Sequence, residues 1–137
     1  MTHAARAAAL VLALLPTACA VAPACPSGTA PAAIAELAFG RNAGGKLRVT
    51  DADWARFLAE EATPRFPDGL TALDTQGHWR GADGRIEQEP AKLLWLVLPG
   101  ATLEEAGTRT NALVAAYRMR FGQESVLRVL RSSCAAF

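Results

Sequence analysis

Hydrophobic positions change their spacing from one segment of the chain to the next, and those changes mark out the elements. Ile34-Ala35-Glu36-Leu37-Ala38-Phe39 reads as a short strand, and Gly40 to Lys46, with three glycines and Asn42, reads as a loop. Thr50 then opens a helix: its hydroxyl can cap, Asp53 stands at the third helical position, and Val49 can pack across the cap onto Trp54. Trp54, Phe57 and Leu58 share one helical face, Asp53, Arg56, Glu60 and Glu61 fall largely elsewhere, and Pro64 is expected to stop the helix. Phe66-Pro67-Asp68-Gly69 has the residues of a type I turn and leads into a second strand, Leu70 to Trp79.

Gly81-Ala82-Asp83-Gly84 then forms a hairpin connection into a third strand, Arg85 to Leu98, which Pro90 is expected to interrupt because it has no N–H to donate. Lys92 to Leu98 is nearly all apolar, as a strand buried on both faces would be. Thr102 and Glu105 make a capping box for a second helix, Ala106, Thr110, Leu113, Val114, Tyr117 and Phe121 trace its apolar face, and Gly122 ends it. Ser125 to Leu130 supplies a last strand, with Val126 or Leu127 facing inward according to register.

Strand, helix, strand, strand, helix, strand is the order of an α+β, ferredoxin-like βαββαβ fold, a four-stranded antiparallel sheet with both helices on one face. In that arrangement the first and third strands are central neighbours and the fourth lies beside the first, antiparallel to it. Two helices cover one face only, so Trp79, Trp95 and the Leu/Val run supply more apolar surface than one layer needs. A second layer is expected on the open face, either a second copy of the chain or a ligand.

Composition adds a compartment. Met1 to Ala20 has a charged start, an apolar run from Ala7 to Leu15 and a small-residue Ala18-Cys19-Ala20 ending, the layout of a secretory signal. Cleavage after Ala20 would release a soluble protein; cleavage before Cys19 would make that residue the lipidated end of a membrane-anchored lipoprotein, although Pro16 stands where that pattern expects Leu. Residues 21–33 read as an extended lead-in and residues 34–137 as one domain. Cys25 and Cys134 then remain in an oxidising compartment, just before the first strand and just after the last, at the same end of neighbouring strands. A disulfide between them is expected.

Charge excludes more than it proposes. With Arg6 removed, the 14 basic residues fall to the same number as the 13 acidic ones, so there is no electrostatic case for nucleic acid, and a membrane is expected only if Cys19 is lipidated. His78 is the histidine left after cleavage and the two mature cysteines are far apart, so neither a metal nor another cofactor is expected. Asp74, His78, Trp79, Arg80, Lys92 and Trp95 are the candidate ligand-binding residues, the polar ones for acid–base or ion-pair chemistry and the tryptophans as lining of the open face. The competing reading makes Glu60, Glu61 and Arg65 fix the end of the first helix and Arg80, Glu89 and Lys92 form cross-strand pairs. No residue is assigned a catalytic role.

The block from Trp54 to Trp79, containing FLAEEATPRFPDGLTALDTQGHW, resembles the bacterial family of unknown function DUF3574. ELAFGR in the first strand, the stretch from Arg85 through Lys92, and RFGQESVLRV from Arg120 to Val129 carry the same resemblance. It implies a small exported bacterial protein and brings no activity or catalytic residues. Function therefore stands as an exported binding or interaction module of the envelope, periplasmic, extracellular or anchored at Cys19, that binds a partner or a small ligand with its open sheet face, a second copy of the chain (a homodimer) being one such partner. The alternative is a small dimeric enzyme, oxygenase- or isomerase-like, with a pocket on that face. For the alternative, Asp74, His78, Arg80 and Lys92 would have to converge in one concave site.

Overall fold

A computed structural model describes residues 24–80 and 84–137; the segment read as a secretory signal, Cys19, the start of the lead-in and Gly81-Ala82-Asp83 of the hairpin connection lie outside the described residues. The chain is α+β. Its elements are β1 (Ala30–Gly40), a ribbon of β2 (Asn42–Ala43) and β3 (Lys46–Leu47), α1 (Asp51–Phe57), a π-helical turn (Leu58–Ala62), α2 (Thr63–Arg65), β4 (Thr71–Arg80), β5 (Ile86–Pro99), α3 (Leu103–Phe121) and β6 (Leu127–Ala135). The four long strands form one sheet in the order β4-β5-β1-β6, with every neighbouring pair antiparallel.

Several local expectations are corrected. The ribbon interleaves two short strands between β1 and α1, where a plain loop was expected, because Gly44 and Gly45 adopt positive φ values of 58° and 74° and turn the chain back on itself. β1 begins at Ala30, so the end of the lead-in is sheet: Pro31 pairs with Cys134 and Ala32 with Ser133. Pro64 does not end the first helical segment, which passes through a π turn into Thr63–Arg65. The wider turn gives the proline ring room where an α turn would press it against a preceding carbonyl. Pro90 does not interrupt β5 either: its carbonyl accepts the N–H of Arg41 at 3.1 Å, so its missing donor faces the end of β1 and costs the ladder to β4 nothing.

The core lies between the sheet and the helices. Ala33, Ala35, Leu37 and Phe39 of β1 and Leu94, Leu96 and Leu98 of β5 alternate onto one face and are buried against Trp54, Phe57, Leu113, Tyr117 and Phe121. Phe39 is the hub of an aromatic cluster, with ring centroids 5.3 Å from Trp54, 6.0 Å from Phe57 and 4.7 Å from Tyr117. Such pairs add roughly 0.5–1.5 kcal/mol each beyond area burial. Both helices start with the expected capping boxes, Thr50 with Asp53 and Thr102 with Glu105, and α3 ends at Gly122 with φ of 67°. Along Lys92 to Leu98, β5 is fully buried on the helix side alone, since Trp95 on its other side is 38% exposed and Leu93 and Val97 are partly buried.

Cys25 and Cys134 form a disulfide with Cα atoms 5.6 Å apart, closing a sequence separation of 109 residues. The pairing of Pro31 with Cys134 at the end of the β1–β6 ladder puts the last strand beside the incoming chain.

Candidate functional site

Strand register sorts the candidate residues between two faces. Thr71 pairs with Trp95, Leu73 with Leu93, Gly77 with Glu89 and Trp79 with Glu87, so these side chains belong to the uncovered face. Asp74 pairs with Lys92, His78 with Gln88 and Arg80 with Ile86, and these alternate onto the helix side. Trp79 and Trp95 therefore share the open face, and Asp74 and Lys92 meet beneath α1.

The helix-side cluster is an ion-pair network. The Lys92 ammonium is 2.9 Å from the Asp51 carboxylate and also bonds to Asp74, and the Arg41 guanidinium lies 3.1 Å from the same Asp51 oxygen. Arg41 is fixed from its other end, donating from Nε to the Val49 carbonyl at 2.8 Å. Hydrogen bonds to Asp74 and Asp51 push the Lys92 ammonium above its ordinary pKa against the opposing effect of burial. The Lys92 hydrogen bond and then the Arg41 charge hold the Asp51 carboxyl below its ordinary value. Asp51 is the first residue of α1 and Lys92 lies in β5. The network thus pins the helix N-terminus to the sheet.

His78 and Arg80 do not join it. Each residue along β4 advances roughly 3.3 Å, which carries His78 about 13 Å beyond Asp74. Arg80 donates to the Gly84 carbonyl at 2.8 Å. Elsewhere Arg65 pairs with Glu61 at 2.5 Å and Arg120 with Glu60 at 2.6 Å, tying the first helical segment to itself and to α3. Tyr117 donates to the Gly40 carbonyl at 2.8 Å, and burial pushes its phenol well above the usual range. Among the described residues no three metal-ligating side chains gather, and no helix is long and apolar enough to cross a membrane.

The open face carries two features. Across its middle, Leu73, Trp95, Leu127 and Val129 are exposed, with partly buried Leu93 and Val97 between them, and Arg131 forks onto Glu36 at 2.8 and 2.9 Å. At the hairpin end a cleft of about 810 Å³ opens between β4–β5, the ribbon and the turn after α3, with Trp79 and Glu89 in its lining. Sequence reasoning did not place Arg41 and Asp51 beside Lys92. Their one signal was an Arg and a capping-region Asp flanking the glycine loop, which says nothing about contact with β5.

Two solved structures of one phage enzyme agree with this geometry at the level of fold. A phage SAM lyase in complex with S-methyl-5'-thioadenosine is similar with a TM-score of 0.61 at 18% identity, covering 86% of this chain and 97% of that one. The phage lyase in its apo state gives 0.58 at 17% identity, over 85% and 97%. CutA from Synechococcus elongatus gives 0.48 at 10% identity, over 77% and 82%. No curated protein matches. The family model described as a protein of unknown function, DUF3574, matches residues 34–137, and the chain belongs to that family.

Proposed function

We propose that this protein is an exported interaction module that self-associates through the open face of a ferredoxin-like sheet. One observation carries the proposal: a broad apolar strip on a sheet face that no described element covers. Four strands at about 4.8 Å spacing and β1 at about 3.3 Å per residue give a face of roughly 700 Å². That is close to the roughly 800 Å² per partner of a standard stable interface. Leu73, Trp95, Leu127 and Val129 are exposed there, with the partly buried Leu93 and Val97 between them, the kind of apolar patch that marks an interaction site.

A second copy suits the charges as well. Glu36 and Arg131 already neutralise each other within one chain, so two such faces meet without bringing an unmatched charge into the contact. Export is supported by the signal-like N-terminus and by the disulfide, which persists in an oxidising compartment. Release into the periplasm or medium, or anchoring through Cys19, follows from which cleavage occurs.

The enzyme reading has less behind it. Asp74 and Lys92 are committed to pinning α1, and His78 and Arg80 lie farther along the strand. The fold shared with a phage lyase is one that can hold a small molecule, but at 18% identity it does not carry a reaction across. Light scattering on the mature protein tests the proposal: an oligomer that Trp95→Glu converts to a folded monomer supports it, and a wild-type monomer at 100 μM overturns it.

A further inference from the structure

We propose that the cleft at the hairpin end of the open face binds an organic cation, a primary ammonium carrying an aromatic or alkyl body. Glu87 stands directly across from Trp79 and Glu89 directly across from Gly77, so two carboxylates and one indole lie side by side on one face. The indole is 44% exposed, unusual for the largest apolar side chain. Glycine makes the floor: a Cβ at Gly40 would lie 2.6 Å from a Glu89 carboxylate oxygen, and at Gly77 it would meet the Glu89 stem at 3.9 Å. Glu89 occupies the space that the missing Gly40 side chain leaves, and its carboxylate accepts the Asn42 N–H at 3.1 Å, which holds the acid in place.

The charge balance of the walls sets the ligand class. Among the described lining residues the acids Glu87, Glu89 and Glu124 stand against Arg85, which has an interaction of its own, and one imidazole, His78. A carboxylate fixed beside an exposed indole offers a cation a charge-assisted hydrogen bond and a π face together, whereas an anion meets repulsion. The volume of about 810 Å³ accommodates a body of drug-like size beside the charged group. The apolar strip used for self-association centres on Leu73, Trp95 and Val129, none of which lines the cleft, and meets it at Leu127, so Trp95 and Glu89 test the two surfaces apart.

Calorimetric titration with 2-phenylethylammonium, against phenylacetate and 2-phenylethanol as anionic and neutral counterparts, tests the site in wild type and in the Trp95→Glu variant. The expected result is saturable binding of the ammonium in both proteins, at least about tenfold weaker in Glu89→Gln and weakened again by Trp79→Ala. Glu87→Gln, at an exposed strand position, serves where Glu89→Gln fails to fold. Equal binding of the alcohol, affinity unchanged in a folded Glu89→Gln or Glu87→Gln variant, or no saturable binding of the ammonium to 10 mM overturns the proposal. A wild type that binds the ammonium yet stays monomeric would refute the interaction module and leave this site standing.

Discussion

Removing the Cys25–Cys134 bond tests how much of this small domain's stability comes from one covalent tie. The bond closes a sequence separation of 109 residues, so nearly the whole described chain lies inside the loop. In the chain-entropy model a loop of that size restricts the unfolded ensemble by about 4–5 kcal/mol. Domains commonly have about 5–15 kcal/mol in total. The double variant Cys25→Ala with Cys134→Ala should therefore lose about a quarter or more of its margin while keeping the β1–β6 ladder. Urea unfolding followed by tryptophan fluorescence reads this directly: with a slope of about 2 kcal/mol per molar, the midpoint should fall by roughly 2–2.5 M. The unreduced wild type, denatured, should show no free thiol from Cys25 or Cys134. A stability change below about 1 kcal/mol in the double variant would refute the reasoning, because it would mean that the unfolded chain gains no freedom from the cut.

Two further outcomes follow from buried polar groups. Tyr117→Phe should cost about 1–2 kcal/mol in urea unfolding, since it strands the Gly40 carbonyl that now accepts the phenol at 2.8 Å while leaving the ring packing intact. The Lys92 network gives a pH signature with two limbs. The folded pKa of Lys92 is raised, so its contribution is complete below the unfolded value of about 10.5 and is lost as pH rises through the folded one. The folded pKa of Asp51 is lowered, so its contribution is present above about 3.8 and is lost as pH falls through the folded one. Thermal melts across pH should show Lys92→Met losing less stability than wild type on the alkaline limb; identical limbs would contradict the network.

Legibility divided along the line between local and distant interactions. Both capping boxes, the αL glycine at Gly122 and the apolar face of α3 are encoded within a few residues, and the sequence displayed them as they occur. The disulfide was legible because strand order, a topological quantity, brings the tails together. Pro64 and Pro90 misled because the cost of a proline depends on what its missing N–H would have met: a widened π turn in one case, the end of a neighbouring strand in the other. The apolar run Lys92 to Leu98 suggested two-sided burial, yet Trp95 shows that hydrophobic composition cannot say which face has a covering layer. Of the candidate residues, Asp74 and Lys92 meet and Trp79 shares the open face with Trp95, but Arg41 and Asp51 join Lys92 through a loop whose path no periodicity specifies. Glu89, read as a member of a cross-strand pair, instead fills the gap at Gly40.

Self-association is the claim on which the functional reading turns, and the oligomeric state of the mature, oxidised protein tests it most directly. Sedimentation velocity at 1–100 μM should show the wild type shifting to a species of twice the monomer mass, with Trp95→Glu and Leu73→Glu folded by circular dichroism yet monomeric throughout. A wild type that stays monomeric across that range, or a dimer that both substitutions leave intact, would contradict assembly through the open sheet face.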